Sequence, residues 1–322
     1  MKRKNKKIES KIIDIFELKQ ETKKITIKNI LNFVLFLNIL FFGYISEVNA
    51  VVVDIDNFVN ANGIVIDNKE FNNLINLGFT RNEIMNMTNK EYNENKNLIG
   101  IVVSTNDRYY RVTTKYDNNN DIISTYFEEI SEYTYNNVND SIFSFISFQS
   151  VDGYSETNYK KMKSQIISVA YGYRYKMSVE WKNIPSTRSY DIIGIGIDTN
   201  VYISSDITFQ QNYCYKSGSC SSSNVSIVNR TTTGGSALFK LPTSSSITSM
   251  DSYIYFTVGK SSTSATLNTL YAYGDYSHAV KNTSSSNSNY YSINKNGLIL
   301  GSSIIESYDE VPVTKATWTG TW

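Results

Sequence analysis

Apolar residues recur along the chain with two different periods. From Ile167 to Trp181 they alternate. Ile167, Val169, Tyr171, Tyr173, Tyr175, Met177, Val179 and Trp181 share one parity, and Ser168, Ala170, Gly172, Arg174, Lys176, Ser178 and Glu180 the other. Period 2 over this length predicts one long strand, or two meeting near Gly172, with one face buried and one face wet. Tyr190–Ile197 is apolar on both parities, as a central strand is, and Val201–Phe209 alternates again. Further strands are predicted at Ser236–Leu241, Tyr253–Val258, Leu267–Tyr273, Leu298–Ile305 and Val313–Trp318. Ser/Thr/Asn/Gly turns separate them with no intervening helix. Residues 165–322 are therefore expected to form an antiparallel β-sandwich or barrel.

The helical period is confined to residues 51–98. Asp67-Asn-Lys-Glu70, Thr80-Arg-Asn-Glu83 and Thr88-Asn-Lys-Glu91 are three successive capping boxes. Phe71, Leu74, Ile75 and Leu77 follow helical spacing, and Gly78 is placed to close that helix. The expectation is three short helices whose shared apolar face forms a self-contained mini-core or packs on the sheet that follows, with a partner-binding surface as the alternative. Ile99–Tyr116 reads as a hairpin turning at Asn106-Asp107, with a further strand at Ile122–Phe127. Residues 128–164 read as a connector with one strand at Ile142–Phe148. Residues 99–164 are thus a hairpin and connector, and the chain is mainly β with a small N-terminal α segment.

Composition changes this picture at the N-terminus. Of 31 Lys/Arg and 30 Asp/Glu, residues 1–50 carry ten and five; the remainder holds 21 and 25, a net charge of about −4. A weakly acidic remainder has no electrostatic footprint for nucleic acid. Met1–Lys7 is basic, Ile30–Ile45 is uncharged, and Val48-Asn49-Ala50 offers small or modest side chains before a cut at Ala50–Val51. That order is the order of a secretory signal. A spanning helix needs roughly 20 apolar residues, so residues 30–45 are short for a permanent span. The alternative is an uncleaved anchor that touches the membrane through residues 30–45, with the domain outside.

Candidate chemistry is sparse. Cys214 and Cys220, in CYKSGSC, enclose a short polar loop and are expected to form a disulfide in an oxidising compartment. With one histidine in the chain, no metal site and no cofactor are expected. His278 lies in Tyr276-Ser-His-Ala near Asp275, but a Ser–His–Asp group is recognised by geometry rather than sequence. Glu128, Glu129, Glu180, Asp191, Asp198 and Asp206 are available carboxylates, with no pair singled out. Tyr171, Tyr173, Tyr175 and Trp181 share one face and read as core, whereas Trp318 and Trp322 at the chain end are candidates for a binding surface.

The stretches FNNLINLGFTRNEIMNMTNKEY, WKNIPSTRSYDIIGIGI, AYGDYSHAVK and YSINKNGL resemble predicted secreted proteins of low-GC Gram-positive bacteria. The resemblance implies export and a bacterial source, and transfers no active site. The leading expectation is an exported, non-enzymatic module that binds a cell-surface glycan or protein. One alternative is a secreted pore-former, with Ser221–Thr233 and Ser261–Leu270 as membrane hairpins; another is a secreted hydrolase. Fractionation of producing cells followed by N-terminal sequencing should find a soluble chain beginning at Val51. A membrane-bound chain retaining residues 30–45 would establish the anchored form instead.

Overall fold

Three capping boxes order the first segment. The computed structural model describes residues 57–119, 121–138, 154–262 and 266–322. The expected export signal, the Ala50–Val51 junction and the strand expected at Ile142–Phe148 lie outside the described residues. A small hairpin of β1 (Phe58–Val59) and β2 (Val65–Ile66) leads into α1 (Asn68–Asn76), α2 (Arg81–Asn86) and α3 (Asn89–Asn95). At each helix start the Asp67, Thr80 or Thr88 side chain accepts from the backbone N–H of Glu70, Glu83 or Glu91, and that glutamate returns to the cap's own N–H. These donors otherwise lack intrahelical partners. The first helix ends at Gly78, φ +80°, with the Gly78 N–H on Ile75 O at 2.9 Å and the Phe79 N–H on Leu74 O at 3.1 Å. Glycine adopts this left-handed closure without steric cost.

The remaining regular structure is almost entirely strand. In chain order it comprises β3 (Gly100–Tyr116), β4 (Ile122–Ile130), a short α4 (Glu132–Asn136), β5 (Tyr154–Val169), β6 (Gly172–Trp181) and β7 (Tyr190–Gly196). Then come β8 (Val201–Ile203), β9 (Thr208–Tyr215), β10 (Cys220–Ser223), β11 (Ile227–Thr231) and β12 (Gly234–Lys240). The last are β13 (Ile247–Lys260), β14 (Thr269–Ser277), β15 (Tyr291–Asn294), β16 (Gly297–Leu300) and β17 (Thr314–Thr319). The large sheet runs β10-β9-β13-β6-β5-β3-β4, with β8 also on β13, and the smaller runs β11-β12-β7-β14-β17. The pairings are antiparallel, and β15 and β16 form a separate hairpin. Met162, Ile166, Tyr175, Met177 and Val179 of the large sheet meet Ile193, Ile195, Phe239, Ala272 and Tyr276 of the smaller one in the main core. The fold is a β-sandwich, as the alternating patterns require.

Two local expectations give way. Asn106-Asp107 makes no turn: β3 runs unbroken, paired with β5 from Gly100↔Val169 to Tyr116↔Tyr154. Asp107 instead meets Lys161 at 3.1 Å and Lys163 at 3.4 Å across the strands. Flanking strands that supply backbone partners outweigh a two-residue turn preference. Residues 154–164, expected in a connector, belong to β5 for the same reason. Consequently β3, β5 and β6 share one sheet, and Ile55–Trp322 is one compact unit.

The face expected to be wet is also buried. The hairpin between β5 and β6 pairs Val169 with Gly172, which puts Ile167 and Val169 on the side opposite Tyr173 and Tyr175. Tyr171, at the turn, is 95% exposed and is not part of the core. On the outer face, Ile167, Tyr253 and Tyr255 pack against Phe71, Leu74, Leu77, Phe79, Ile84 and Met87 of the helical segment. That segment is therefore a cap on the sheet. Beneath it lies Lys176, 1% exposed, whose Nζ donates to Glu83 Oε2 at 2.5 Å and to Gly78 O at 2.9 Å. Removing one partner of a buried pair leaves an uncompensated charge. Lys176→Ala is thus expected to lower unfolding free energy by about 3–5 kcal/mol in urea titrations. A loss below about 1 kcal/mol would mean the pair does not hold the cap.

Candidate functional site

Where the cap ends, its seam with the sheet opens into a cleft of about 370 Å³. Its floor is the outer face of β6, β9 and β13, represented by Arg174, Gln210 and Tyr255; its sides are Thr88, Glu91 and Glu94 of the cap and Ser226 between β10 and β11. Arg174 reaches this floor because its parity on β6 is outward. It is 6% exposed, donates Nη1 to Asn95 Oδ1 at 2.6 Å and stands 4.4 Å from the Tyr255 ring centroid. Burial lowers the guanidinium's pKa, and Tyr255 and Glu94 offset this in part. Its Nε has no hydrogen-bond partner among the described residues. Gln210, 1% exposed, donates Nε2 weakly to Asn212 at 3.4 Å, and its Oε1 also lacks a partner. Glu91 accepts the Tyr253 hydroxyl at 2.9 Å; burial nevertheless holds its carboxyl above the usual range.

A second cleft of about 310 Å³ lies at another part of the same seam, lined by Asn82, Glu83, Lys161, Lys163, Glu180 and Asp251. Glu180 and Asp251 are directly opposed across β6 and β13. The Asp251 carboxylate accepts the side-chain amides of Asn82 and Asn212, the latter at 2.8 Å. Burial first, and the Glu83 charge second, push Asp251 up to about 8. Two directly opposed carboxyl groups, one of them buried, have the outline of an acid/base pair.

The histidine lies elsewhere, inside the sandwich. His278 is 2% exposed, and its Nδ1 is 3.0 Å from Asp191 Oδ2. Asp191 also accepts the Ala279 N–H at 2.9 Å and the Tyr276 hydroxyl, which in turn accepts Trp181 Nε1 at 3.2 Å. Asp275, the neighbour in sequence, is not its partner: its carboxylate accepts the backbone N–H groups of Tyr276 and Leu298, each at 2.7 Å. Strand alternation accounts for the difference, because a near neighbour in sequence need not share a face while Asp191 on the adjacent β7 does. The Ser–His–Asp arrangement is thus not formed.

The other sequence candidates are dispersed. Cys214 and Cys220 form the disulfide, directly opposed in β9 and β10 with Cα atoms 4.0 Å apart. Trp318 and Trp322 are half-buried against Tyr173, ring centroids 4.7 and 4.9 Å away. Glu128 pairs with Arg111 and Glu129 with Arg108 across β3 and β4. Asp198 accepts the Tyr273 hydroxyl at 3.5 Å, and Asp206 lines the first cleft. Ser221–Ser223 and Ile227–Thr231 are edge strands of the two sheets. Among the described residues no cluster of three or more His, Cys, Asp or Glu is placed to hold a metal ion. Among them, too, no helix is long and apolar enough to cross a membrane. Arg174 and Gln210 were not singled out from the sequence; the signal available was a charged residue within an otherwise buried strand.

No family model and no curated protein matches the chain. Among solved structures it is similar to BcpA, the major pilin subunit of Bacillus cereus, at 10% identity and a TM-score of 0.24. The match covers 54% of this chain and 59% of the pilin chain. A likeness this weak carries nothing about function.

The His278–Asp191 pair makes stability depend on pH. Burial alone lowers the imidazole's pKa, but the carboxylates of Asp191 and then Asp309 outweigh it and hold the ring above its ordinary 6.5. A raised histidine contributes stability that is fully present below its unfolded pKa and lost as pH rises through the folded value. Urea midpoints should therefore be lower at about pH 9 than at about pH 6, and His278→Gln should flatten this part of the profile. An unchanged slope in that variant would assign the dependence to other groups.

Proposed function

We propose that the protein is an exported, non-enzymatic surface module that binds a neutral glycan in the cleft where the helical cap meets the large sheet. One observation carries the reading: a buried donor, Arg174 Nε, and a buried acceptor, Gln210 Oε1, belong to residues lining the same cleft and have no partners among the described residues. An unsatisfied buried polar group costs about 1–3 kcal/mol, so a ligand that satisfies both is favoured. A sugar supplies the complement, since a hydroxyl both donates and accepts. Thr88, Ser205, Thr208 and Ser226 add hydroxyls around the cleft. The three acidic residues Glu91, Glu94 and Asp206 outnumber Arg174 and Lys90 there, which favours a neutral ligand over an anion. Export is supported by the basic, apolar and small-residue order of residues 1–50. The half-buried rings of Trp318 and Trp322 are a second candidate surface for the same ligand class.

The Asp251–Glu180 pair favours a second reading, a secreted hydrolase acting in the neighbouring cleft. A single experiment separates the two. The purified protein is applied to arrayed cell-wall and host-surface glycans, and the same glycans in solution are followed for new reducing ends. Binding is expected without cleavage. Ser226→Trp, which fills the cleft from its solvent side, should reduce retention at least about tenfold, the equivalent of one good hydrogen bond to a charged group. Retention unchanged by Ser226→Trp would move the site elsewhere. Cleavage lost in Glu180→Gln would replace the binding module with the hydrolase. No retention on any glycan would end the glycan reading.

A further inference from the structure

The main core holds an ion pair that neither cleft uses. Lys160, on the inner face of β5, is 0% exposed; Asp309, in the segment before β17, is 1% exposed. The Lys160 Nζ is 2.7 Å from Asp309 Oδ2. The Tyr276 and Trp181 ring centroids stand 5.1 and 5.7 Å from the same nitrogen. The second oxygen, Asp309 Oδ1, accepts the backbone N–H of His278 at 2.7 Å. Both atoms of the carboxylate are thereby fixed, one against an amine and one against a peptide N–H.

As ions the two groups are poorly served. An ammonium has three N–H donors, and Asp309 is the hydrogen-bond acceptor that Lys160 meets. Each buried ion pays a desolvation penalty that attraction repays only when its remaining donors or lone pairs are satisfied. Lys176 is the internal comparison. It is equally buried, but donates to a backbone carbonyl as well as to Glu83, as an ammonium requires. Glu83 is in turn committed to the N–H of Thr80 at 2.7 Å.

We infer that Lys160 and Asp309 condense into an intramolecular amide that joins β5 to the segment before β17. A proton passes from the ammonium to Asp309 Oδ2, leaving a neutral amine and a carboxylic acid. The Nζ lone pair attacks Cγ and forms the C–N bond. Charge that develops on Oδ1 faces the His278 N–H, a donor already aimed at that atom. The Cγ–Oδ2 bond breaks, Oδ2 takes the proton lost by nitrogen, and one water leaves. No electrons are exchanged and no co-reactant is consumed.

Two factors drive the step. Reactants held in contact gain an effective molarity that reaches about 10⁵–10⁸ M in well-oriented systems. Condensation also removes two charges from an apolar interior and releases water from a site that bulk solvent does not enter. The amide carbonyl keeps the His278 hydrogen bond, and the amide nitrogen stays beside the Tyr276 and Trp181 rings. This inference is independent of the glycan reading: the cross-link is internal and changes neither cleft.

The test is the intact mass of the purified full chain after reduction of its disulfide, followed by tryptic mapping. A chain lighter than its sequence by about 18 Da, one water, is expected. A branched peptide joining the Lys160 and Asp309 segments is expected in the digest. Lys160→Arg and Asp309→Ala should each restore the full mass. This readout is made on denatured protein, so it holds even if a variant folds poorly. Unmodified mass with the two segments in separate linear peptides would overturn the inference. So would a water loss mapped to Lys176 and Glu83, or to any other residue.

Discussion

The structure depends on the burial of both faces of β6 and β13. One face is apolar and closes the sandwich, with Tyr175, Met177 and Val179 against the smaller sheet. The other carries Arg174 and Lys176, which cannot be left in an apolar interface without partners. The helical cap resolves this by bringing Glu83, Asn95 and the Gly78 carbonyl onto those two side chains. Glu83 serves twice, as the third residue of a capping box and as the counterion of Lys176. Local helix order and long-range cap docking therefore share one carboxylate.

How far this was legible follows from the range of each interaction. The capping boxes, the Gly78 closure and the Cys214–Cys220 loop are complete within a few residues, and each stands where its sequence pattern puts it. The sandwich followed from alternation, which is also local. Alternation says which side chains share a face, but not what covers the opposite one. Lys176 on the second face therefore reads as wet until the cap, about 90 residues earlier in the chain, is placed over it. The hairpin turn at Asn106-Asp107 failed because β5, far along the chain, supplies backbone partners to β3 continuously from Ser104 to Tyr116.

The candidate sites were less legible still, for the same reason. His278 finds Asp191, 87 residues away, instead of Asp275 beside it. Lys160 finds Asp309 across 149 residues. Arg174 and Gln210 converge only because β6 and β9 both pair with β13 and turn the same face toward the cap. One sequence carries no signal for such pairings beyond an odd charge in a strand that otherwise reads as core.

The two kinds of buried polar group differ in what they can do. Asp191 accepts from an imidazole, a peptide N–H and a phenol, so its oxygens have little capacity left for a ligand. Arg174 and Gln210 each keep one unpartnered atom, and both line an open cleft. A saturated network rigidifies a core, whereas an unsaturated one beside solvent has reason to take up a ligand. Recognition of an outside molecule therefore belongs at the seam between cap and sheet. Chemistry inside the sandwich is restricted to groups of the chain itself. The seam in turn exists because the sheet's outer face carries polar and charged side chains and the cap covers only part of it. The feature that makes the fold hard to read from alternation is thus the feature that leaves it a place to bind.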